Sequence, residues 1–174
     1  MLFNFQLTVL LLTCSTMQPA IAADGIIAEE SAVEVAFLYN FALFTEWPDI
    51  PANEFRICVL GSGPLLAALE PVKKKQLKER PINVTNITSA AQIQSCQVLF
   101  VGRSEHASIN NLARQIGNAP VMIVAEEDGY DPNNVIISLV PQQGRIAFKI
   151  NRTAAQAKSL TISSKLLKHA LQIY

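Results

Sequence analysis

The sequence predicts an α/β fold: a single layered domain whose mostly parallel sheet is flanked by helices, with a C-terminal hairpin and helix, in a Rossmann-like three-layer arrangement. Short apolar runs alternate with helix-like segments over most of the chain, as they do in βαβ units. Two further apolar runs are separated by a single turn, which is typical of a hairpin. No repeat or low-complexity linker interrupts this pattern, so we expect one domain.

Residues 1–22 are predicted to be a secretory signal peptide. An apolar run at Leu7–Leu12 is followed by a more polar stretch and by Ala20–Ala22, which matches the small-x-small cleavage pattern. We expect cleavage near Ala22, which leaves the α/β domain at 23–174. A lipoprotein anchored through Cys14 is the weaker alternative, because the threonine before this cysteine fits a lipobox poorly.

The first element of the domain is predicted to be an aromatic helix. Apolar residues recur at steps of three and four, at Val33, Ala36, Phe37, Phe41, Phe44 and Trp47. Pro48 disfavours the helical conformation for Trp47, so we expect the helix to end there. The main interpretation is a core helix. The alternative is that Phe44 and Trp47, near its end, meet a partner or ligand.

The strands are predicted from apolar runs bounded by turn residues. Four of them are Phe55–Leu60, Pro81–Thr85, Gln97–Val101 and Pro120–Ala125. The hairpin consists of Val135–Val140 and Arg145–Ile150, joined by a turn at Pro141–Gly144. Charged and apolar residues alternate in its second strand, which predicts one covered face and one solvated face.

The remaining helices are predicted from caps and periodicity. They are Leu65–Leu69 after Pro64, Ser89–Ile93 capped by Ser89, Glu105–Ile116 capped by Ser104, Thr153–Lys158 capped by Asn151, and a last helix capped by Ser163 or Ser164 with its stripe at Leu166, Leu167, Ala170, Leu171 and Tyr174.

Charge does not point to a polyanionic partner. The chain has 14 basic and 14 acidic side chains, so a neutral balance gives no argument for nucleic acid or an anionic membrane. The basic cluster Lys73–Lys75 and the acidic run Glu126–Asp128 are interpreted as solvated helix ends or loops.

Two cysteines, Cys58 and Cys96, remain after the signal peptide. Export to an oxidising compartment favours a disulfide between them, and two buried free thiols are the alternative.

The search for catalytic motifs predicts a protein that is not an enzyme. Gly61-Ser62-Gly63 follows a strand, but Leu66 occupies the place of the third glycine of a dinucleotide loop, so we interpret it as a turn. His106 and His169 are far apart and lack partners at metal-ligand spacing, and we expect His106 to be a surface residue. No catalytic residue, metal or cofactor is predicted.

Several stretches in order resemble the YfiR-like periplasmic proteins of Gram-negative bacteria. They are 36–41 with 47–48, 58–61, 96–100, 144–151 and 162–167. The resemblance is collinear and covers nearly the whole domain. Family members often carry Glu where Lys149 stands, so a role of that carboxylate is not transferred to this chain.

The resemblance implies a small periplasmic α/β domain with a regulatory role. The type member represses an inner-membrane diguanylate cyclase by binding its periplasmic sensor domain, and it thereby controls cyclic-di-GMP and biofilm formation. Other members serve membrane histidine kinases or related receptors. The positions of Cys58 and Cys96 match those used for a disulfide in such proteins, and homodimers are expected.

Two functions therefore follow. The first is a periplasmic repressor, with a partner surface predicted at Phe44, Trp47, Arg145, Lys149, Asn151, Ser163 and Ser164. The second is a periplasmic small-ligand-binding protein that feeds a membrane histidine kinase or receptor. Its cleft would lie at the carboxyl ends of the parallel strands, in the loops after Leu60, Val101 and Ala125.

Overall fold

The computed structural model describes residues 22–49, 53–61, 63–126 and 130–174. The predicted signal peptide lies outside these residues except for Ala22, where the first helix begins. None of the helices in the described ranges is both long and apolar enough to cross a membrane.

Within the described residues, ten strands form one large sheet and one small ribbon. The strands are β1 Thr45–Glu46, β2 Phe55–Leu60, β3 Gln76–Leu77, β4 Arg80–Ile87, β5 Val98–Val101, β6 Met122–Glu126, β7 Ile137–Gln142, β8 Arg145–Ile150, β9 Thr161–Ile162 and β10 Gln172–Ile173. The large sheet has the order β10-β8-β7-β6-β5-β2-β4-β3, and β1 pairs with β9 in the ribbon. Five neighbouring pairs of the large sheet are parallel, and only β7–β8 and β3–β4 are antiparallel. The predicted mostly parallel sheet and C-terminal hairpin are confirmed.

Five α-helices and four 3-10 turns connect the strands of the described residues. The α-helices are α1 Ala22–Leu43, α2 Pro64–Ala68, α3 Ile109–Ile116, α4 Arg152–Ala157 and α5 Ser164–Leu167. The 3-10 turns are Glu70–Lys74, Ala90–Ser95, Arg103–Ser108 and Pro132–Asn134.

The sheet separates two hydrophobic cores, which is the predicted three-layer arrangement. Alternate residues of the central strands point to opposite faces, so Val98 and Phe100 join one core while Leu99 and Val101 join the other. Helix α1 packs in the first core, and α3 packs in the second. Coverage of both faces explains why the central strands are continuously apolar.

The bridge between Cys58 and Cys96 is present, with a Cα–Cα distance of 5.9 Å. It joins β2 to the segment just before β5, its neighbour in the sheet. Both cysteines are buried in the second core. The prediction of a disulfide over two free thiols is confirmed.

Helix α1 ends four residues earlier than predicted. It stops at Leu43 because β1 pairs antiparallel with β9, and the Ser163 amide donates to the Phe44 carbonyl at 2.9 Å. Pairing with a distant segment thus ends the helix before Pro48 acts. The predicted apolar face is also partly wrong. Val33, which was included in it, is 39% exposed, whereas Leu38 and Ala42, which were not included, are fully buried.

The last predicted helix is wrong beyond Leu167. Helix α5 stops there, and β10 adds a parallel edge strand beside β8, with the Leu171 amide donating to the Phe148 carbonyl at 2.8 Å. Leu171 and Tyr174 are exposed instead of forming a buried stripe.

Two predicted caps are confirmed and two are not. The side chain of Asn151 accepts from the Ala154 amide at 2.7 Å, and the Ser163 side chain accepts from the Lys165 amide at 3.3 Å. Ser89 and Ser104 do not cap α-helices, because each borders or joins a 3-10 turn.

Candidate functional site

The residues predicted for partner binding do not form one continuous surface. Trp47 is only 9% exposed and packs edge-to-face on Phe55 at 5.1 Å, so it belongs to the core. Asn151 is 3% exposed and caps α4. Its side chain therefore closes a helix end and does not lie on the solvated face of the hairpin.

The other predicted residues are accessible but dispersed. Phe44 and Ser163 are half-buried neighbours joined through their backbones, and Ser164 beside them is exposed. Lys149 is half-buried next to the edge strand β10. Arg145 lies in a separate depression that Glu29 and Glu30 of helix α1 also line.

Phe44 contributes to an open groove between α1 and α5, which we call the aromatic groove. It has a volume of about 450 Å³, and its lining residues are Phe37, Asn40, Phe44, Phe148, Lys165, Leu166, Lys168 and His169. The ring of Phe37 stacks on Phe41 at 5.6 Å, and both rings meet Phe148 edge-to-face at 5.4 and 5.0 Å. Because these rings fix one another, the floor of the groove is already formed.

The rim of the aromatic groove is basic. Lys165, Lys168 and His169 on and just after α5 are exposed, and the described lining of the groove includes no acidic residue. An apolar floor with a basic rim favours a ligand or partner segment that is apolar and flanked by negative charge.

A second concave site, which we call the strand-end cleft, lies at the carboxyl ends of β2, β5 and β6, where the segments that follow these strands come together. It has a volume of about 220 Å³ and is lined by Glu30, Ser31, Glu34, Val59, Leu60, Gly61, Gly63, Pro64, Leu65, Leu66, Phe100, Gly102, Arg103, Ser104 and Glu126. The chain passes from β2 to β4 on one side of β2 and then to β5 on the other side, so the cleft lies at a topological switch point. The predicted position of a ligand cleft, after Leu60, Val101 and Ala125, coincides with this cavity.

The backbone segments that follow β2 and β5 lie close together at the cleft. The Gly102 amide donates to the Leu60 carbonyl at 2.9 Å. Gly61 has a φ of +114°, and a Cβ there would meet the Glu105 side chain at 3.3 Å and Ser104 Oγ at 3.4 Å. Glycine is therefore required at this position for the turn that opens the cleft.

Glu34 is the unusual side chain of the strand-end cleft. It is 7% exposed although it is acidic, and it faces Glu30, Arg103 and Glu126. The pKa of the Glu34 carboxyl is raised from 4.5 to about 7, chiefly by burial and also by the nearby Glu126 and Glu30, while Arg103 lowers it. Arg103 itself donates from Nε to Glu126 at 2.9 Å.

His106 is not the surface residue that we expected. It is 7% exposed, and its ring packs edge-to-face on Tyr130 at 5.3 Å. The 3-10 turn that follows β5 turns this side chain inward, which sequence periodicity alone did not indicate. Within the described ranges no three His, Cys, Asp or Glu residues are arranged to hold a metal ion.

Sequence reasoning missed Glu34 and the basic rim. Glu34 stands seven positions before the buried Phe41, with Leu38 between them, so a carboxylate in a buried stripe was a signal available in the sequence. The spacing of three between Lys165 and Lys168, which places both on one side of a helical turn, was a second signal. Because the last helix is predicted to run too far, the position of these side chains beside the groove could not be predicted.

Comparison with known proteins supplies the family. A family model for YfiR/HmsC-like proteins matches residues 31–171. No curated protein matches the chain.

Two solved structures share the fold at low identity. One is a conserved domain protein from Vibrio cholerae, with a TM-score of 0.55 and 12% identity. The other is the ABC domain from Streptococcus pneumoniae in complex with L-Trp, with a TM-score of 0.54 and 14% identity. Each match covers 83% of this chain and 60% of the other, so the chain spans less than two thirds of the length of these structures.

The family match spans most of the chain and includes the residues that line the aromatic groove and, except for Glu30, those that line the strand-end cleft. The protein belongs to the YfiR/HmsC-like family.

Proposed function

We propose that the protein is a periplasmic regulator that binds and represses the periplasmic sensor domain of an inner-membrane diguanylate cyclase, and so limits cyclic-di-GMP and biofilm formation. The observation that carries this proposal is the match to the YfiR/HmsC-like family over residues 31–171. The disulfide in the second core suits an oxidising compartment.

The aromatic groove is the proposed partner surface. Its floor offers the half-buried rings of Phe37 and Phe44, and its rim offers the ammonium groups of Lys165 and Lys168. The complementary partner element is an apolar side chain of the sensor domain flanked by carboxylates. Among the residues first predicted for partner binding, Phe44, Ser163 and Ser164 lie at or beside this groove, so they remain in the proposal.

Repression follows from a difference in affinity. A regulator that binds the inactive state of the sensor domain more tightly than the active state shifts the population toward the inactive one. Deletion of the protein is therefore expected to raise cyclic-di-GMP. Unchanged cyclic-di-GMP in the deletion strain would contradict repression of a cyclase.

Charge reversal at the rim tests the surface. The double variant Lys165→Glu/Lys168→Glu changes two exposed side chains and should leave the fold intact. We expect it to lose binding to the purified sensor domain at low ionic strength and to fail to restore repression. The matched control is Lys74→Glu/Arg114→Glu, two exposed reversals outside the groove, which should bind as the unmodified protein does. Equal loss in both variants would mean that net charge, and not the groove, governs binding.

A second candidate function is the binding of a small ligand in the strand-end cleft, which a membrane histidine kinase or receptor would then sense. The cavity at the switch point favours it, because ligands of open α/β sheets bind there. The fold is also shared with a domain solved in complex with L-Trp. A thermal-shift screen with a metabolite library tests this function, since a specific ligand raises the melting temperature.

A further inference from the structure

We propose that the strand-end cleft binds a small organic cation, namely a primary ammonium with a short apolar tail, whose charge is held by the Glu34 carboxylate. This inference deepens the second proposed function and rests on it. It identifies the chemical class of the ligand, which neither the family nor the fold supplies.

The first argument is the position of Glu34. Its side chain is more than nine-tenths buried, yet it lines the strand-end cleft and a smaller cavity of about 40 Å³ beside it. None of the described residues provides a hydrogen-bond donor to its carboxyl group. A buried acid that has no donor from the protein is costly unless water or a ligand supplies one.

The second argument is the charge of the surroundings. Among the described residues that line the two cavities, Glu30, Glu34 and Glu126 carry three carboxylates and Arg103 carries a guanidinium, so with all of them ionised their sum is −3 + 1 = −2. The guanidinium is already paired with Glu126. The elements β7 and β8 add only Leu139, Val140, Pro141 and Ile146 to the adjoining cavity. Arg145 of β8 lies with Glu30 in the neighbouring depression, which neither Glu34 nor Glu126 lines. A cation is therefore the ligand that the site favours.

The third argument concerns the kind of cation. The described residues contain no cluster of three acidic, His or Cys ligands suited to a metal ion. An ammonium group brings three donors, which a set of separated carboxylates can accept. The walls from Val59, Leu65 and Phe100 are apolar, and a volume of about 220 Å³ lies below the usual range for drug-sized ligands of roughly 300–1,000 Å³. These features fit a short alkyl tail.

A free amino acid fits less well. Its carboxylate would enter a site that is already negative, and the one guanidinium facing Glu34 is committed to Glu126. An amine that lacks a carboxylate avoids this repulsion. The inference thus separates the amine class from the zwitterion class.

The test measures binding of four probes to the oxidised domain at pH 8 by calorimetry, with amide chemical shifts to locate the site. The probes are n-butylammonium, the neutral n-butanol, the anionic butyrate, and L-norvaline, which is butylammonium with an added carboxylate. We expect butylammonium to bind most tightly and to shift the amide signals of Gly61 and Gly102. Glu34→Gln should weaken butylammonium about tenfold or more, because a hydrogen bond to a charged group is lost. The control Glu46→Gln removes an exposed carboxylate elsewhere and should bind as the unmodified protein does.

Three results would overturn the inference. Butanol could bind as tightly as butylammonium, norvaline could bind more tightly than butylammonium, or Glu34→Gln could bind butylammonium with unchanged affinity. The melting curve of Glu34→Gln without ligand shows whether this variant is folded. If a metabolite raises the melting temperature and shifts the Gly61 amide signal equally in the unmodified protein and in Glu34→Gln, the cleft binds a ligand but the ligand is not an ammonium held by Glu34. If neither a library compound nor butylammonium binds, the ligand-binding function and the ammonium class are both wrong. Repression through the aromatic groove is tested separately, by the Lys165→Glu/Lys168→Glu variant and its control.

Discussion

Replacement of Glu34 by Gln is expected to stabilise the protein at alkaline pH and to leave it nearly unchanged in acid. In the folded protein the pKa of Glu34 lies near 7, against 4.5 for an unperturbed glutamate, and burial is the largest cause. Between these two values the unfolded chain has released the proton while the folded one keeps it. Folding is therefore opposed progressively as pH rises through this window.

The magnitude follows from the two pKa values. At 1.36 kcal/mol per pH unit, the difference between 4.5 and about 7 amounts to about 3 kcal/mol lost above pH 8. The amide of Gln is similar in shape and carries no charge, so the variant avoids this loss. For a domain of this size the advantage corresponds to a melting temperature about 6 to 12 °C higher at pH 8.

The assay is thermal unfolding of both proteins between pH 4.5 and pH 8.5, with the disulfide intact and without ligand. We expect the two melting curves to converge near pH 4.5 and to diverge above pH 6. Glu46→Gln, an exposed substitution, should follow the unmodified protein throughout. Parallel pH dependence of the Glu34→Gln variant and the unmodified protein would refute the assignment of this titration to Glu34.

Further predictions concern the scaffold and the assembly. Replacing Cys58 and Cys96 together by Ser should cost about 4 kcal/mol by the loop-entropy estimate for their separation of 38 residues, as urea unfolding would show; a loss below about 1 kcal/mol would contradict it. Asn151→Ala should cost about 1 to 2 kcal/mol, because it removes the cap of α4 in a buried position, whereas an exposed control such as Thr153→Ala should cost little. The fluorescence of Trp47 should be that of a buried indole and should not respond to the partner domain; a clear shift on binding would return this residue to the interface. Sedimentation equilibrium tests the homodimer that the family resemblance implies, and a monomer at micromolar concentration would contradict it.

The elements that could be predicted from sequence are those whose cause is local or purely apolar. Strand β2 was predicted with the bounds that the structure has, because turn residues limit a continuously apolar run. The hairpin of β7 and β8 and the cap at Asn151 were predicted for the same reason, since neighbours in sequence determine them.

The elements that were predicted wrongly depend on distant partners. The segment after Leu43 is extended because β9, more than a hundred residues later, pairs with it. The end of the chain leaves its helix because β8 offers an open edge to β10. In both places the helical period continued in the sequence, but backbone hydrogen bonds to a remote strand were available, and a periodic pattern does not contain that information.

Helix α1 shows why the candidate sites were only half predictable. Its aromatic residues drew attention to the end near Phe44, where the aromatic groove lies. The strand-end cleft is lined by the middle of the same helix, where Glu34 is buried. A glutamate in a helix is usually solvated, and this general preference outweighed the signal that Glu34 shares a stripe with Leu38 and Phe41. Only the sheet order, which brings the ends of β2, β5 and β6 beneath this turn of α1, makes Glu34 a buried acid in a cavity, and no periodic pattern in the sequence contains that order.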